Sequence, residues 1–122
     1  MRYTGIVQRG TARAKALGYS TINIPLDDAS VSGVYAAKVK VGEEAYEAAA
    51  FADQKRNVLE AHILDFPAQG GSASGGTADL YGWSVTIELL KKIRESKKFA
   101  DDRSLRKAIE EDVARVREYF TQ

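Results

Sequence analysis

The sequence WSVTIELLKKIRESKKFADDRSLRKAIEEDVARVREYF, residues 83–120, combines two different periodicities and decides the fold class. Its first part alternates, with apolar side chains on one face from Val85 to Leu89, which is typical of a strand. Its second part has apolar residues at helical spacing, and Asp101 or Asp102 is the expected N-cap. The pattern Leu105, Ile109, Val113, Val116 and Phe120 marks an amphipathic helix, and we expect it to bury Leu105, Ile109, Val113 and Phe120.

Short β-prone segments make up most of the sequence before this stretch. The run after Gly42 begins at a hairpin turn, and a further β-prone run lies within LGYSTINIPLDD, residues 17–28. Strands followed by one helix, without βαβ alternation, predict an antiparallel barrel or sandwich that the helix closes, in a single domain over residues 1–122. The other predicted strands are YTGIVQ (3–8), GVYAAKVKV (33–41), AYEAAAFA (45–52) and VLEAHILDF (58–66).

Composition restricts the class of protein. The 122 residues contain 18 Lys and Arg against 17 Asp and Glu, so no global field attracts nucleic acid or an anionic membrane. The absence of cysteine excludes disulfides, zinc–thiolate sites and thiol nucleophiles. No apolar run is long enough to span a membrane, and the N-terminus has no signal-peptide pattern. The expectation is a soluble, cytoplasmic, monomeric protein that binds neither nucleic acid nor membranes.

Two segments lack a structural period. RGTARAKALG, residues 9–18, is basic, and its Arg9, Arg13 and Lys15 fit either phosphate contacts or a solvated basic loop. PAQGGSASGGTA, residues 67–78, is rich in Gly and Ser and predicts a flexible loop. The chain has no Gly-x-x-x-x-Gly-Lys-Ser/Thr motif, which excludes a Walker-type phosphate loop.

Glu60 and the single histidine, His62, lie two residues apart on a predicted strand and therefore share a face. A carboxylate beside an imidazole suits a general base with a positioning partner. The alternative is a pair at the end of a strand that solvent satisfies. The residues alone favour that plainer alternative.

Thr21 and Asn23 also share a strand face. Neutral oxygens are weak ligands for a bare dication, but they suit Mg²⁺ that arrives with nucleotide phosphates and keeps several waters. The alternative is a polar strand edge with no ligand. Without further observations, that alternative is again the simpler interpretation.

Several stretches, taken in order, resemble the riboflavin kinase (flavokinase) family over nearly the whole chain. That family has a glycine-rich basic flap, then Leu-Gly-Phe-Pro-Thr-Ala-Asn, Gly-Val-Tyr, Glu-x-His, Asp-Leu-Tyr-Gly and Leu-Arg-x-Glu-x-Lys-Phe. The matching stretches here are RGTARAKALGYSTINI, SGVYAAKV, LEAHILDF, DLYG, IRESKKF and LRKAIEEDVARVREYF. Each fragment is a weak signal by itself, but their common order is specific.

The resemblance implies a six-stranded antiparallel Greek-key β-barrel with the C-terminal α-helix packed on it. It also implies phosphorylation of the riboflavin 5′-hydroxyl to FMN, with Mg²⁺-ATP as donor and riboflavin and ATP as small-molecule partners. Glu60 matches the family's catalytic base and a flavin contact, and Thr21 and Asn23 match its Mg²⁺ ligands. Arg94 and Phe99 match the flavin side. The implied nucleotide-binding residues are Gly10, Arg13, Lys15, Gly18, Thr21, Asn23, His62 and Tyr81.

The chain departs from the family pattern in both ligand-binding regions. Flap glycines are replaced by Ala12 and Ala14, where a positive φ becomes costly, and the proline before the Thr is Ser20. DQKRN, residues 53–57, replaces the Gly-x-Arg-Pro-Thr loop, and Ser96 replaces an acidic residue. Three functions therefore stay open: a monofunctional riboflavin kinase, a flavin- or nucleotide-binding module of the same fold with weak or lost catalysis, or an unrelated small barrel.

Overall fold

The structure, a computed structural model, describes residues 1–8, 21–64 and 80–121. The predicted loops at 9–18 and 67–78 lie outside these residues, as do Gly10, Arg13, Lys15 and Gly18. The described elements are strands β1 (Arg2–Ile6), β2 (Ile22–Pro25), β3 (Gly33–Val41), β4 (Glu44–Asp53), β5 (Val58–Ile63) and β6 (Ser84–Arg94), and helix α1 (Asp102–Thr121).

The six strands form one sheet in the order β1-β6-β3-β4-β5-β2, and every neighbouring pair is antiparallel. Consecutive strands β3, β4 and β5 lie side by side, and β6 returns to pair with β3, which is Greek-key topology. The two edge strands, β1 and β2, lie close together. The amide of Gln8, two residues after β1, donates to the carbonyl of Asn23 on β2 at 2.7 Å. The predicted Greek-key barrel is confirmed, and it is nearly closed.

The inner face of the sheet forms the hydrophobic core. On β5, Leu59, Ala61 and Ile63 are at most 3% exposed, while the residues between them are half-buried. The inward-facing residues of β4 are small, and Ala48, Ala50 and Ala52 are at most 1% exposed. The largest fully buried side chains of this core are Ile22, Ile24, Val31, Val39, Leu59, Val85 and Ile87.

Helix α1 packs on the outer face of the sheet, against β3, β4 and β6. Asp101 is its N-cap, since the carboxylate accepts a hydrogen bond from the Ser104 amide at 2.8 Å. Val116 is fully buried in a second apolar cluster with Ala36 and Leu64. Leu105, Ile109, Val113 and Phe120, which we predicted to be buried, are only half-buried.

Two glycines set the geometry of β3. Gly42 has a φ of 61° in the predicted hairpin turn to β4. Gly33 has a φ of 97°, and a Cβ there would lie 2.5 Å from the Arg94 carbonyl oxygen. A side chain at residue 33 would therefore push β6 away at the point where β6 ends. Within the described parts of the chain, no helix has the length and hydropathy needed to cross a membrane.

Candidate functional site

A cavity of about 870 Å³ lies between the outer face of the sheet and helix α1. We call it the outer-face cavity. Its helix wall includes Leu105, Ile109 and Val113, which explains why these residues are only half-buried. Five of the predicted site residues line it: Thr21, Glu60, His62, Arg94 and Phe99.

Glu60 lies on β5 in the middle of a cross-strand row. Its Cα partners are Asn23 on β2 and Phe51 on β4, so the three side chains share the outer face. Burial raises the pKa of the Glu60 carboxyl above its ordinary value, although the hydrogen bond and charge of Arg56 act in the opposite direction. A half-buried carboxylate with a raised pKa is suited to accept a proton.

Arg56 connects Glu60 to Asp53. Its Nε donates to Asp53 Oδ2 at 2.7 Å, and its Nη2 donates to Glu60 Oε2 at 3.1 Å. Burial alone would raise the pKa of Asp53, but the hydrogen bonds and charge of Arg56 outweigh it and lower that pKa. Burial likewise opposes the charge of Arg56, yet the two carboxylates hold the pKa of the guanidinium above its ordinary value. The three side chains form one charged unit at the cavity wall.

Asn23 lies on β2 opposite Glu60 but is not among the described residues that line the cavity, and Thr21 directly precedes β2. Asn23 is 3% exposed, and its Oδ1 is buried and accepts no hydrogen bond from the described residues. Thr21 is half-buried and lines the cavity two residues earlier, at a spacing that places its side chain on the same face. A buried oxygen without a donor is costly, and a cation is one group that satisfies it.

Arg94 joins the sheet to helix α1. Its Nε and Nη2 donate to the two carboxylate oxygens of Asp112, both at 2.8 Å, and its Nη1 donates to the Glu95 carbonyl at 3.0 Å. The guanidinium also lies 5.6 Å from the ring centre of Phe99, within cation–π range. The predicted flavin-side pair Arg94 and Phe99 is thus assembled in one place, and Asp112 fixes the arginine.

The two remaining predicted residues differ in position. His62 lies on the same outer face as Glu60 and lines the cavity. Tyr81 precedes β6 in a turn, is 44% exposed and lies outside the cavity lining. The structure therefore groups His62 with Glu60 and Thr21, but places Tyr81 apart from them.

Three charged residues that form the ion pairs of the site were not predicted from the sequence: Asp53, Arg56 and Asp112. Asp112 carried a signal, because it lies three residues after Ile109 and four before Val116 and so falls within the apolar stripe of the helix. An acidic residue on such a stripe implies a buried partner. Asp53 and Arg56 carried no signal beyond their spacing within DQKRN, residues 53–57. We interpreted that segment only as the replacement of the family's Gly-x-Arg-Pro-Thr loop.

The family model described as riboflavin kinase matches residues 1–120. The chain belongs to the riboflavin kinase family. The resemblance seen in the sequence is confirmed, and the Glu-x-His strand and the arginine before Phe99 lie at the same cavity.

Individual relatives agree with this assignment to the riboflavin kinase family. The bifunctional riboflavin kinase/FMN adenylyltransferase of Escherichia coli (strain K12) is 32% identical over 126 residues, covering 96% of this chain and 37% of the relative. The protein of the same name from Bacillus subtilis (strain 168) is 28% identical over 129 residues, covering 96% and 38%. The chain thus spans less than two fifths of the length of either relative.

A solved structure supports the fold. The crystal structure of riboflavin kinase from Trypanosoma brucei superposes with a TM-score of 0.69 at 23% identity, covering 99% of this chain and 77% of that chain. At this level of identity the likeness bears on the architecture alone.

Proposed function

We propose that this chain transfers the γ-phosphoryl group of Mg²⁺-ATP to the 5′-hydroxyl of riboflavin, giving FMN and ADP. The bond that forms joins the ribityl 5′-oxygen to the γ-phosphorus. The bond that breaks joins the γ-phosphorus to its bridging oxygen, and that electron pair leaves with ADP. Phosphoryl transfer requires positioning and charge stabilisation more than covalent chemistry, so a preformed cavity with few polar groups suits it.

Glu60 is the general base in this proposal and accepts the proton of the 5′-hydroxyl. The observation that carries the proposal is the place of this carboxylate: half-buried at the wall of the outer-face cavity, in one row with Asn23 and Phe51. Its raised pKa brings its proton affinity nearer to what a base working around neutral pH requires. The match of Glu60 to the family's Glu-x-His motif points to the same residue.

The side-chain oxygens of Thr21, just before β2, and of Asn23, on β2, fit Mg²⁺. Thr21 and Asn23 offer neutral oxygens on one face, and the Asn23 Oδ1 is buried without a hydrogen-bond donor among the described residues. Neutral oxygens suit an ion that brings phosphate oxygens and waters as its remaining ligands. Thr21 and Asn23 would hold the ion, which would neutralise negative charge on the phosphates.

The rest of the cavity suits the flavin. Phe99 and the half-buried residues of helix α1 provide apolar surface, and Arg94, held by Asp112, provides a fixed donor. We assign riboflavin to this helix side and ATP to the side of Thr21, Asn23 and His62. Tyr81, Gly10, Arg13, Lys15 and Gly18 stay predictions for the nucleotide side.

The deciding experiment incubates the protein with riboflavin, ATP and Mg²⁺ and measures FMN by chromatography, for the parent and for Glu60→Gln. Glutamine preserves the size of the side chain but cannot take the proton. We expect kcat to fall by about 100-fold or more, while riboflavin affinity changes by no more than about three-fold. His62→Gln is the matched control on the same strand face and should have a smaller effect.

Two results would change this assignment. Equal kcat for Glu60→Gln and the parent would remove Glu60 from the mechanism. A parent that binds riboflavin but forms no FMN would favour the alternative, a flavin-binding module of the same fold without catalysis.

A further inference from the structure

The turn between β4 and β5 is built around Asp53. The Asp53 carboxylate accepts hydrogen bonds from the backbone amides of Lys55 at 3.0 Å and of Arg56 at 3.3 Å. Asn57 then adopts a φ of 54°, a left-handed conformation that Asn tolerates better than most residues. The turn is short and the Asp53 side chain holds it, so the backbone position of Arg56 is fixed.

The Arg56 guanidinium is fixed at its other end as well. It bridges Asp53 Oδ2 and Glu60 Oε2, and the side chains of Asp53 and Glu60 are only 14% and 16% exposed. Charge-assisted hydrogen bonds in a partly desolvated place are stronger than those at the surface. Arg56 therefore restrains the Glu60 carboxylate more firmly than a solvent-exposed ion pair could.

The contact leaves the two oxygens of Glu60 unequal. Oε2 accepts the Arg56 hydrogen bond, whereas Oε1 accepts none from the described residues. A general base acts on a proton only within hydrogen-bond distance, and a displacement of about 1 Å can cost about 100-fold in rate. Restraining one oxygen fixes the direction in which the other points.

We propose that Arg56 is a positioning residue for phosphoryl transfer: it holds Glu60 through Oε2 so that Oε1 receives the proton of the substrate hydroxyl. Asp53 in turn fixes the guanidinium. This inference rests on the proposed kinase function and extends it to a turn that departs from the family's usual loop. It assigns a role to residues that the motif comparison leaves without one.

A double-mutant cycle tests this role, with FMN formation as the readout for the parent, Arg56→Gln, Glu60→Gln and the double variant. If Arg56 acts through Glu60, Arg56→Gln should lower kcat by about 10- to 100-fold with KM for riboflavin and ATP within about three-fold. In the Glu60→Gln background the same change should alter kcat by less than about two-fold, since the oriented base is already absent. Arg2→Gln, which breaks an exposed ion pair with Glu88 elsewhere on the sheet, is the control and should keep the parent kcat.

Arg56→Lys covers the case in which Arg56→Gln does not fold. Lysine keeps the positive charge but lacks the planar fork that reaches both carboxylates, so its kcat should stay well below that of the parent. Parent-like kcat in Arg56→Gln or Arg56→Lys would overturn the positioning role while leaving the kinase function intact. The same holds if Arg56→Gln lowered kcat equally in the parent and in the Glu60→Gln background. Absence of FMN from the parent would overturn the kinase function itself, and this inference with it.

Discussion

The two faces of strand β5 have opposite characters. On the inner face, Leu59, Ala61 and Ile63 are fully enclosed by other strands of the barrel. On the outer face, Glu60 and His62 are half-buried at the wall of a cavity. Alternate residues of one strand thus stabilise the fold and form the candidate site, so substitutions on the two faces should separate stability from activity.

The outer face itself differs between its two halves. Helix α1 covers it over β3, β4 and the end of β6, and the cavity lies there. Over β1 and the first part of β6 it faces solvent, where Arg2 pairs with Glu88 at 3.2 Å and the two side chains are 70% and 38% exposed. Water is excluded from this face, and the local dielectric constant is lowered, only where the helix covers it. Charged pairs should therefore matter more under the helix than away from it.

The largest expected effect is on the inner face. Leu59→Ala removes a fully buried side chain from the core and should lower the free energy of unfolding by about 2–5 kcal/mol. Urea unfolding measures this loss, and kcat measured where both proteins are folded should not change. Leu90→Ala, at a side chain 38% exposed on β6, is the matched control and should cost about 0.5 kcal/mol or less. A lower kcat without lost stability would contradict the division between the two faces.

An intermediate effect is expected where the helix meets the sheet. Asp112→Asn removes the negative charge that faces Arg94, and the side chains of these residues are only 8% and 22% exposed. Because hydrogen bonds to charged groups contribute about 1.5–3 kcal/mol, we expect a destabilisation of that order together with a higher KM for riboflavin. Glu110→Gln, at an exposed position of the same helix, should change neither quantity. If Asp112→Asn changed neither quantity, the Arg94–Asp112 pair would contribute no more to stability than the exposed Arg2–Glu88 pair does.

The sequence predicted the inner face better than the outer one, for a physical reason. Alternating apolar residues, the turn at Gly42 and the acidic residues before the helix are local signals, and they predicted the strands and an N-cap at Asp101 or Asp102. The contact between Arg94 and Asp112 depends on how the helix docks, which no local pattern contains. The resemblance to a family identified Glu60, but not its partner Arg56, because the turn that positions Arg56 replaces the family's loop.

The smallest expected effect, and the one most specific to the outer face, is on the stability of Glu60→Gln. Burial raises the folded-state pKa of Glu60 above its ordinary value of 4.5, so the folded protein binds this proton more tightly than the unfolded chain does. The stabilising contribution of Glu60 is therefore fully present below pH 4.5 and is lost as pH rises through the folded pKa. At neutral pH the ionised carboxylate disfavours folding, and glutamine removes that cost.

Glu60→Gln should consequently melt at a temperature equal to or above that of the parent at pH 7, with the difference disappearing in acid. Thermal unfolding of both proteins across this pH range measures it, and Glu88→Gln, at the exposed pair with Arg2, is the control in which no such gain is expected. A lower melting temperature at pH 7 would mean that the attraction of Arg56 outweighs the burial of Glu60. A gain in stability accompanied by the loss of kcat would instead show that Glu60, on the outer face, lowers the stability of the fold while supporting activity.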